Sequence, residues 1–450
     1  MPPEKSIVPS KIGSLLSEYL NQIQQGAEEK ALAVEAGISA SEGGIPVSVG
    51  INKVAPEPHE SWDSYKRRVR KELKPLCGMI NDVFGKKADL IICGNALVAH
   101  LSPEQAALLS EDSNVSYIEL DPVLQVTMLD GAVPDVGHPL FLNNHPSLTG
   151  SGVKVAVLDS GIDLKHPHLS VTDSVETCGE SDRVPGSHGT HCAGIIASQD
   201  LLFRGIAPDV DLINVKVLRA NGSGTPTGIT RGVDEAIDLG AEVLSMSLGF
   251  NHLPRWSQNG HGWSCPDGRC VLCMAVDNAS LLDDRLVVVA AGNEHDRAEH
   301  LRNYGQGNSF DTELGCPGNA RAAFTVGAIT KGDQPLAASF SSYGPTSYGD
   351  PKPDLVAPGV NIQSTIPAPR DALNRLRHDP ARNLLFGPKS GTSMATPLVA
   401  GAASLLIQRY KDQGKSWIPS DIKDEILSGL KSAPSSANFK GGGALDLSNL

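Results

Sequence analysis

Several features are scarce in this 450-residue chain, and each scarcity argues against a class of partner or location. Lysine and arginine total 38 against 51 acidic residues, for a formal net charge of -13. This argues against nucleic acid as a general partner, because phosphate binding needs basic clusters. No uninterrupted apolar run is long enough to span a bilayer, so we expect no membrane partner. Residues 1–20 lack the apolar core of a secretory signal, which leads us to expect a cytoplasmic protein.

Cysteine is present but sparse. The eight cysteines are scattered through the chain, at positions 77, 93, 178, 192, 265, 270, 273 and 316. In a chain this long, such usage predicts thiols in a reducing compartment rather than a disulfide scaffold. Charged residues make up 20% and hydrophobic residues 40%, which is typical of folded globular domains.

Changes in composition along the chain predict four regions. Residues 1–44 combine apolar residues at helical spacing with a Gly/Ser-rich stretch, which indicates a helical tail and a linker. Residues 45–128 alternate strand and helix patterns in the order of a small split βαβ domain, of the α+β class. Residues 129–150 are rich in Gly and Pro and predict a linker with a processing site. Residues 151–450 form the main domain.

The main domain repeats apolar strands between helical segments. Strand patterns stand, for example, at residues 153–158, 212–218 and 286–291. Strands that are apolar almost throughout are typical of a parallel sheet with helices on both faces. We therefore predict an α/β fold with a mostly parallel sheet, preceded by the small α+β domain.

Three segments of the main domain carry residues suited to nucleophilic catalysis. The strand at 153–158 ends in Asp159, and catalytic groups of α/β sheets lie at the carboxyl ends of strands. His188 opens a helix of small residues. Ser393 begins an apolar helix, where the helix dipole and unpaired N–H groups favour negative charge. Taken singly, each residue also fits a structural role such as a helix cap, and His188 with His191 also fits a metal site.

Together these segments resemble the subtilisin-like serine protease family. The motifs stand in that family's order of Asp, His and Ser, as Val157-Leu158-Asp159-Ser160-Gly161, His188-Gly189-Thr190-His191 and Gly391-Thr392-Ser393-Met394-Ala395. The resemblance covers about residues 151–450 and implies a serine endopeptidase. It implies that Ser393 is the nucleophile, that His188 is the general base oriented by Asp159, and that Asn293 donates to the oxyanion.

The resemblance also implies which residues bind a protein or peptide substrate. Two segments would pair with it as added strands, and a loop and a turn would line the pocket for the side chain before the scissile bond. These residues are Asn221, Gly222, Ser223, Gly224, Ser247, Leu248, Gly249, Gly292, Glu294 and Gly315. The Glu294 carboxylate could favour a basic side chain there; the alternative is an exposed loop position.

The N-terminal module resembles the inhibitory propeptide of the same family. The resemblance implies that residues 45–128 pack on the catalytic domain, that 123–128 lie in the cleft, and that cleavage falls within 126–136. We therefore expect a self-processed zymogen and, from the acidic charge and the thiols, an intracellular processing protease. The alternatives are a broadly degradative protease, or a pseudoprotease scaffold that binds a partner through its N-terminal module.

We expect no cofactor and no metal ligand. Where the family commonly has a calcium-binding His-Pro-Asp-Leu stretch, this chain has His166-Pro167-His168-Leu169, and calcium needs about six to eight oxygen ligands. A second departure is an insertion around 251–284 that contains His252, His261, Cys265, Cys270 and Cys273. Its single Cys-x-x-Cys lacks a second pair, which favours free thiols; a disulfide and a zinc site are the alternatives.

Overall fold

The computed structural model describes most of the chain from residue 45 onward. The described residues are 45–51, 54, 57, 60–92, 94–120, 124–125, 136–200, 203–251, 265–303, 312–332, 335–370, 376, 384–432 and 441–450. The predicted tail and linker over 1–44, nearly all of the predicted cleavage interval 126–136, and both His252 and His261 lie outside them.

The N-terminal module is the small α+β unit that the sequence predicts. Its antiparallel sheet has the order β2-β3-β1-β4 and comprises β1 (Ile45–Ile51), β2 (Ala88–Ile91), β3 (Ala96–Leu101) and β4 (Val115–Leu120). Its helices are α1 (Trp62–Gly78), which continues into a π-helical turn (Met79–Val83), and α2 (Pro103–Ser110). Ser61 and Ser102 begin these helices by accepting bonds from backbone N–H groups. A two-residue strand, β5 (Leu124–Gln125), follows the module.

A seven-stranded parallel sheet forms the centre of the main domain. Its strands are β6 (Lys154–Asp159), β7 (Val171–Glu176), β8 (Asp211–Lys216), β10 (Val243–Met246), β11 (Leu286–Ala290), β12 (Phe324–Ile329) and β13 (Leu355–Pro358). The order is β13-β12-β11-β10-β6-β8-β7. A short strand, β9 (Ser223–Gly224), and a hairpin of β14 (Ile362–Thr365) and β15 (Phe386–Lys389) lie outside this sheet.

Helices cover both faces of this sheet, as predicted. The helices of the main domain are α3 (His138–Asn144), α4 (Ser187–Ala197), α5 (Pro226–Asp238), α6 (Val271–Leu282), α7 (His295–Asn303), α8 (Thr392–Asp412) and α9 (Pro419–Ser428). Along β6, Val155 and Val157 pack in the core with α4 and α8, whereas Ala156 and Leu158 pack in the core with α5 and α6. Both sets of side chains are buried, which is why the strand is apolar throughout. The predicted α/β fold is confirmed.

The N-terminal module packs on the α5 and α6 side of the main domain. Its buried side chains belong to the same hydrophobic cluster as those of these two helices. Asp238 at the end of α5 accepts a hydrogen bond from the Trp62 indole at 3.3 Å and pairs with Lys66 at 2.6 Å. On α6, the Asn278 amide donates to the Tyr65 hydroxyl at 3.3 Å. Apolar packing and polar contacts therefore join the module to the domain.

Two segments are more ordered than their composition predicts. The predicted linker 129–150 contains α3, and its side chains Phe141 and Leu148 are buried in the core beside α8. The predicted insertion 251–284 contains α6, whose buried residues cover the sheet. In both cases burial of apolar side chains outweighs the loop-like composition. Among the described residues, no helix combines the length and apolar character needed to cross a bilayer.

We expect Leu405→Ala to lower the free energy of unfolding by about 2–5 kcal/mol, because it leaves a cavity under α8, where Leu405 is fully buried. Leu281→Ala is the matched control, since that helical leucine is 64% exposed, and we expect a change within about 0.5 kcal/mol. Urea unfolding in a Ser393→Ala background measures both. Equal losses for the two variants would contradict the assignment of this core.

Candidate active site

Asp159 and His188 lie against each other at the carboxyl edge of the sheet. Asp159 is the last residue of β6 and is fully buried, and its Oδ1 accepts a 2.6 Å hydrogen bond from the backbone N–H of Ser160. His188 stands in the first turn of α4, and its Nδ1 lies 2.9 Å from both carboxylate oxygens of Asp159. The carboxylate therefore holds the imidazole through Nδ1, which assigns Nε2 to proton exchange.

The surroundings of His188 set its protonation. Burial on its own lowers the pKa of His188, but the Asp159 carboxylate and the Cys192 sulfur more than offset burial and raise that pKa well above its usual range. Cys192 lies one turn further along α4, with its Sγ 3.9 Å from His188 Nδ1. A general base must be neutral, and the imidazole is mostly neutral only when the pH exceeds this raised pKa.

Ser393 reaches the same place from a distant part of the chain. It is the second residue of α8, and its Oγ donates to the carbonyl oxygen of Ser247 at 3.2 Å. Its own carbonyl accepts from the Ser247 hydroxyl at 2.8 Å and from Cys192 Sγ at 3.4 Å. Since Cys192 contacts both Ser393 and His188, the structure brings together the three residues that the motifs single out.

Asn293 lies beside the start of the same helix. Its Oδ1 accepts from the backbone N–H of Thr392 at 2.9 Å and from the Thr392 hydroxyl at 3.2 Å. Because the oxygen is committed to Thr392, the orientation of the amide is determined and Nδ2 is the end left as a donor. A Cβ atom added to Gly391 would lie 3.4 Å from that Nδ2. The amide donor therefore lies next to the residue that precedes the Thr392-Ser393 turn.

The first predicted substrate-binding segment forms a tight turn that leads into β9. Asn221 Oδ1 accepts from the Ser223 backbone at 2.9 Å and from its hydroxyl at 2.7 Å, and Gly222 adopts a φ of +85°. Strand β9 pairs antiparallel with β5, with Leu124 opposite Gly224 and Gln125 opposite Ser223. A segment of the chain itself thus adds a strand at the edge where a substrate strand is predicted.

Three glycines converge in space: Gly292 and Gly315, predicted to line the pocket, and Gly249, from a predicted substrate-pairing segment. A Cβ on Gly249 would lie 3.7 Å from Gly315 Cα, and one on Gly292 would lie 3.3 Å from Gly315 N. Side chains at these positions would therefore fill the space between the segments. Leu248, next to Gly249, is buried, and Ser247 contacts Ser393 as described.

Glu294 has a charged partner that its place in the sequence does not indicate. Its carboxylate pairs with Arg297 at 3.3 Å, and its side chain is 19% exposed. The ion pair offsets the negative charge, so Glu294 is poorly suited to select a basic substrate side chain on its own.

Ser342 and Thr392 form hydrogen bonds with Gly292 of the predicted pocket, although neither was predicted to take part in substrate binding. The Ser342 N–H donates to the Gly292 carbonyl at 2.9 Å, and the Gly292 N–H donates to the Thr392 hydroxyl at 3.2 Å. Thr392 belongs to the serine motif, so its place there was the available signal. No spacing or periodicity in the sequence indicates Ser342.

His191 is a structural residue. It is fully buried, and its Nε2 donates to the carbonyl oxygens of Ile362 at 2.8 Å and Gly387 at 3.0 Å. Burial, together with the nearby Lys389, lowers the pKa of His191 to about 3. The neutral ring thus joins α4 to the β14–β15 hairpin, and His191 serves packing rather than proton transfer.

Two groups of side chains with metal-ligating atoms come together among the described residues. One is Asp159, His188 and Cys192, where the carboxylate and the imidazole are already bonded to each other. The other is Cys265, Cys270, Cys273 and Cys316. The second group joins the predicted cysteine-rich stretch to a cysteine from the pocket turn.

Comparison with known proteins agrees with this geometry. The subtilase family profile matches residues 150–443. Serine protease AprX of Bacillus subtilis is 34% identical over 377 residues, covering 79% of this chain and 78% of AprX. Subtilisin E of the same species is 33% identical over 343 residues, covering 74% and 75%. An alkaline protease of Shouchella clausii is 34% identical over 358 residues, covering 78% and 77%.

We expect His191→Gln to flatten the dependence of stability on pH. Because the folded-state pKa of His191 lies below the unfolded value of about 6.5, its contribution to stability is complete above that pH and is lost as the pH falls toward about 3. The loss approaches about 1.4 kcal/mol per pH unit. Urea unfolding of a Ser393→Ala chain at pH 7, 6, 5 and 4, with and without His191→Gln, measures it. His100→Gln, at a half-buried position of β3, is the control, and identical slopes for all three chains would contradict the prediction.

Proposed function

The chain belongs to the subtilase family and is a subtilisin-like serine endopeptidase, and we propose that it is made as a zymogen that processes itself. Its catalytic group would be Asp159, His188 and Ser393, with Asn293 as an oxyanion donor. The observation that carries the zymogen proposal is the pairing of β5 with β9, which adds a strand of the chain itself at the predicted substrate edge.

The chemistry begins with the Ser393 hydroxyl. In the structure this hydroxyl donates to the Ser247 carbonyl, so it must first turn toward His188 Nε2. His188 takes the proton as Ser393 Oγ attacks the peptide carbonyl, and Asp159 stabilises the imidazolium through Nδ1. The proton then passes to the leaving amine, and an acyl group remains on Ser393. Water, activated by the same imidazole, releases it.

Two hydrogen-bond donors would stabilise the negative charge that develops on the substrate carbonyl oxygen. Asn293 Nδ2 would donate from one side, since Thr392 holds the other end of that amide. The backbone N–H of Ser393 would donate from the first turn of α8, where the helix dipole also favours an anion. Both donors are fixed before substrate arrives, so little reorganisation accompanies the reaction.

The peptide would bind chiefly through its backbone. Strand addition at β9 supplies hydrogen bonds without demanding particular side chains. Gly249, Gly292 and Gly315 would leave room for the side chain before the scissile bond, because a Cβ on any of them would approach a neighbouring segment. Selection between substrates would then depend on the remainder of that pocket.

The N-terminal module would act as an inhibitor in cis. Residues 45–128 would hold β5 in the cleft through their contacts with α5 and α6. The ion pair of Lys66 with Asp238 is half exposed on the Asp238 side and is therefore weak. A cut within 126–136 would break the covalent link between the N-terminal module and the catalytic domain. The module, with β5, could then leave the cleft, which fits activation by self-cleavage.

An intracellular processing role is the finer part of this proposal. Its support is the cysteine usage: the chain has eight cysteines, and the seven that the structure describes form no disulfides. Thiols persist in reducing compartments. Profiling a peptide library with the processed enzyme separates the alternatives, because cleavage confined to a few sequences supports a processing protease and broad cleavage supports a degradative one.

We expect Ser393→Ala to stay full length on expression while the native chain becomes shorter by its N-terminal module. Intact mass spectrometry of both purified chains is the measurement, and it also locates the cut. Ser404→Ala is the matched control, because Ser404 lies on the same helix and its hydroxyl donates to the Ala400 carbonyl of that helix. Native and Ser393→Ala chains of equal length would contradict self-processing.

We expect Asn293→Ala to lower kcat by about 10²–10³, a magnitude taken from the corresponding amide of subtilisin. KM should change little, because the amide acts on charge that develops in the transition state. Steady-state kinetics on a peptide substrate measure both constants, with the exposed Asn144→Ala as control. A rise in KM at unchanged kcat would assign Asn293 to substrate binding instead.

A further inference from the structure

The strongest unassigned feature is a cluster of four buried cysteines beside the substrate pocket. Their sulfur atoms all lie within 4.8 Å of one another. Cys273 Sγ is 3.4 Å from Cys316 Sγ and 4.0 Å from Cys265 Sγ. Four thiolates around one zinc ion, with Zn–S bonds of about 2.3 Å at tetrahedral angles, stand about 3.8 Å apart. We propose that Cys265, Cys270, Cys273 and Cys316 bind one structural zinc ion.

The local fold presents these four sulfurs from three backbone segments. Cys270 caps the N-terminus of α6, and Cys273 stands in its first turn, so the two share one side of the helix. Cys265 precedes a turn in which the Gly268 N–H donates to the Cys265 carbonyl at 3.2 Å, with Gly268 at a φ of +69°. Cys316 arrives from a turn 43 residues beyond Cys273. This is the arrangement of ligands in small closed zinc sites.

The surroundings suit a bound cation. All four cysteines are buried, so several thiolates here need a compensating positive charge. The Cys270 N–H donates to Cys265 Sγ at 3.2 Å, and the N-terminus of α6 adds its dipole. Asn319 also holds the site, since its Nδ2 lies 3.5 Å from the Cys265 carbonyl and 2.7 Å from Ser347 Oγ. Such outer contacts fix ligand orientation around metals.

Four protein ligands in a buried site leave no coordination position for substrate or water, so this zinc would be structural. Its effect would reach the pocket. Cys316 follows Gly315, and its backbone exchanges two 2.8 Å hydrogen bonds with Phe250, the residue after Gly249. The ion would thus tie the Gly249 and Gly315 walls to the start of α6. The proposed ion differs from the sequence expectation of thiols without a metal.

The test is zinc content. Full-length Ser393→Ala chain is expressed with zinc, purified under reducing conditions without chelator, and measured by inductively coupled plasma mass spectrometry. We expect one zinc per chain. Cys273→Ser in that background should retain at least tenfold less, while Cys77→Ser should match the parent because Cys77 lies on α1 of the N-terminal module, outside the cluster. Fewer than about 0.1 zinc per parent chain, or full zinc in Cys273→Ser, overturns the proposal.

A second measurement covers a Cys273→Ser chain that fails to fold. The folded parent is titrated with an organomercurial while released zinc is followed with a chromogenic chelator. Release of one zinc as four buried thiols react supports the site, and reaction of these thiols without zinc release overturns it. Non-reducing peptide mapping adds a further check, since a disulfide between any two of the four cysteines also overturns it.

Discussion

The contact between Asp159 and His188 is the interaction on which the rest of the site depends. A carboxylate that is fully buried is costly unless it is paired and hydrogen-bonded, and here the Ser160 N–H and the imidazole supply those partners. The same pairing fixes the ring through Nδ1 and raises the pKa of His188. One buried contact therefore sets both the orientation and the proton affinity of the His188 imidazole.

The parallel sheet makes this contact possible. Strand β6 carries Asp159 to the carboxyl edge of the sheet, and α4 and α8 pack on the same face, so His188 and Ser393 each enter from a first helical turn. Cys192 of α4 contacts His188 on its own helix and Ser393 on α8. The candidate catalytic side chains are thus held by largely buried elements, whereas the predicted substrate edge at β9 is a two-residue strand.

The opposite face of the sheet is covered by α5 and α6, which contact the N-terminal module. There α5 and α6 share one hydrophobic cluster with the N-terminal module, and the N-terminus of α6 carries the cysteine cluster. The side chain of Val271 on α6 also lies against Gly94 of the module. A Cβ atom added to Gly94 would lie 2.6 Å from Val271 Cγ2. The proposed inhibitor, the proposed zinc site and the pocket wall therefore meet around one helix, and its position bears on all three.

The sequence by itself determined the α/β class and most strands of the sheet, and it singled out Asp159, His188, Ser393 and Asn293 as candidates, because apolar periodicity and short motifs are local properties of the chain. It did not indicate that residues 136–150 are packed, since turn-rich composition masks a few buried apolar side chains such as Phe141. Nor could it pair Cys316 with Cys273, because 43 intervening residues leave their separation open. Only the tertiary structure decided these points, along with the ion-pair partner of Glu294 and the register in which β5 pairs with β9, since each depends on which distant segments the fold brings into contact.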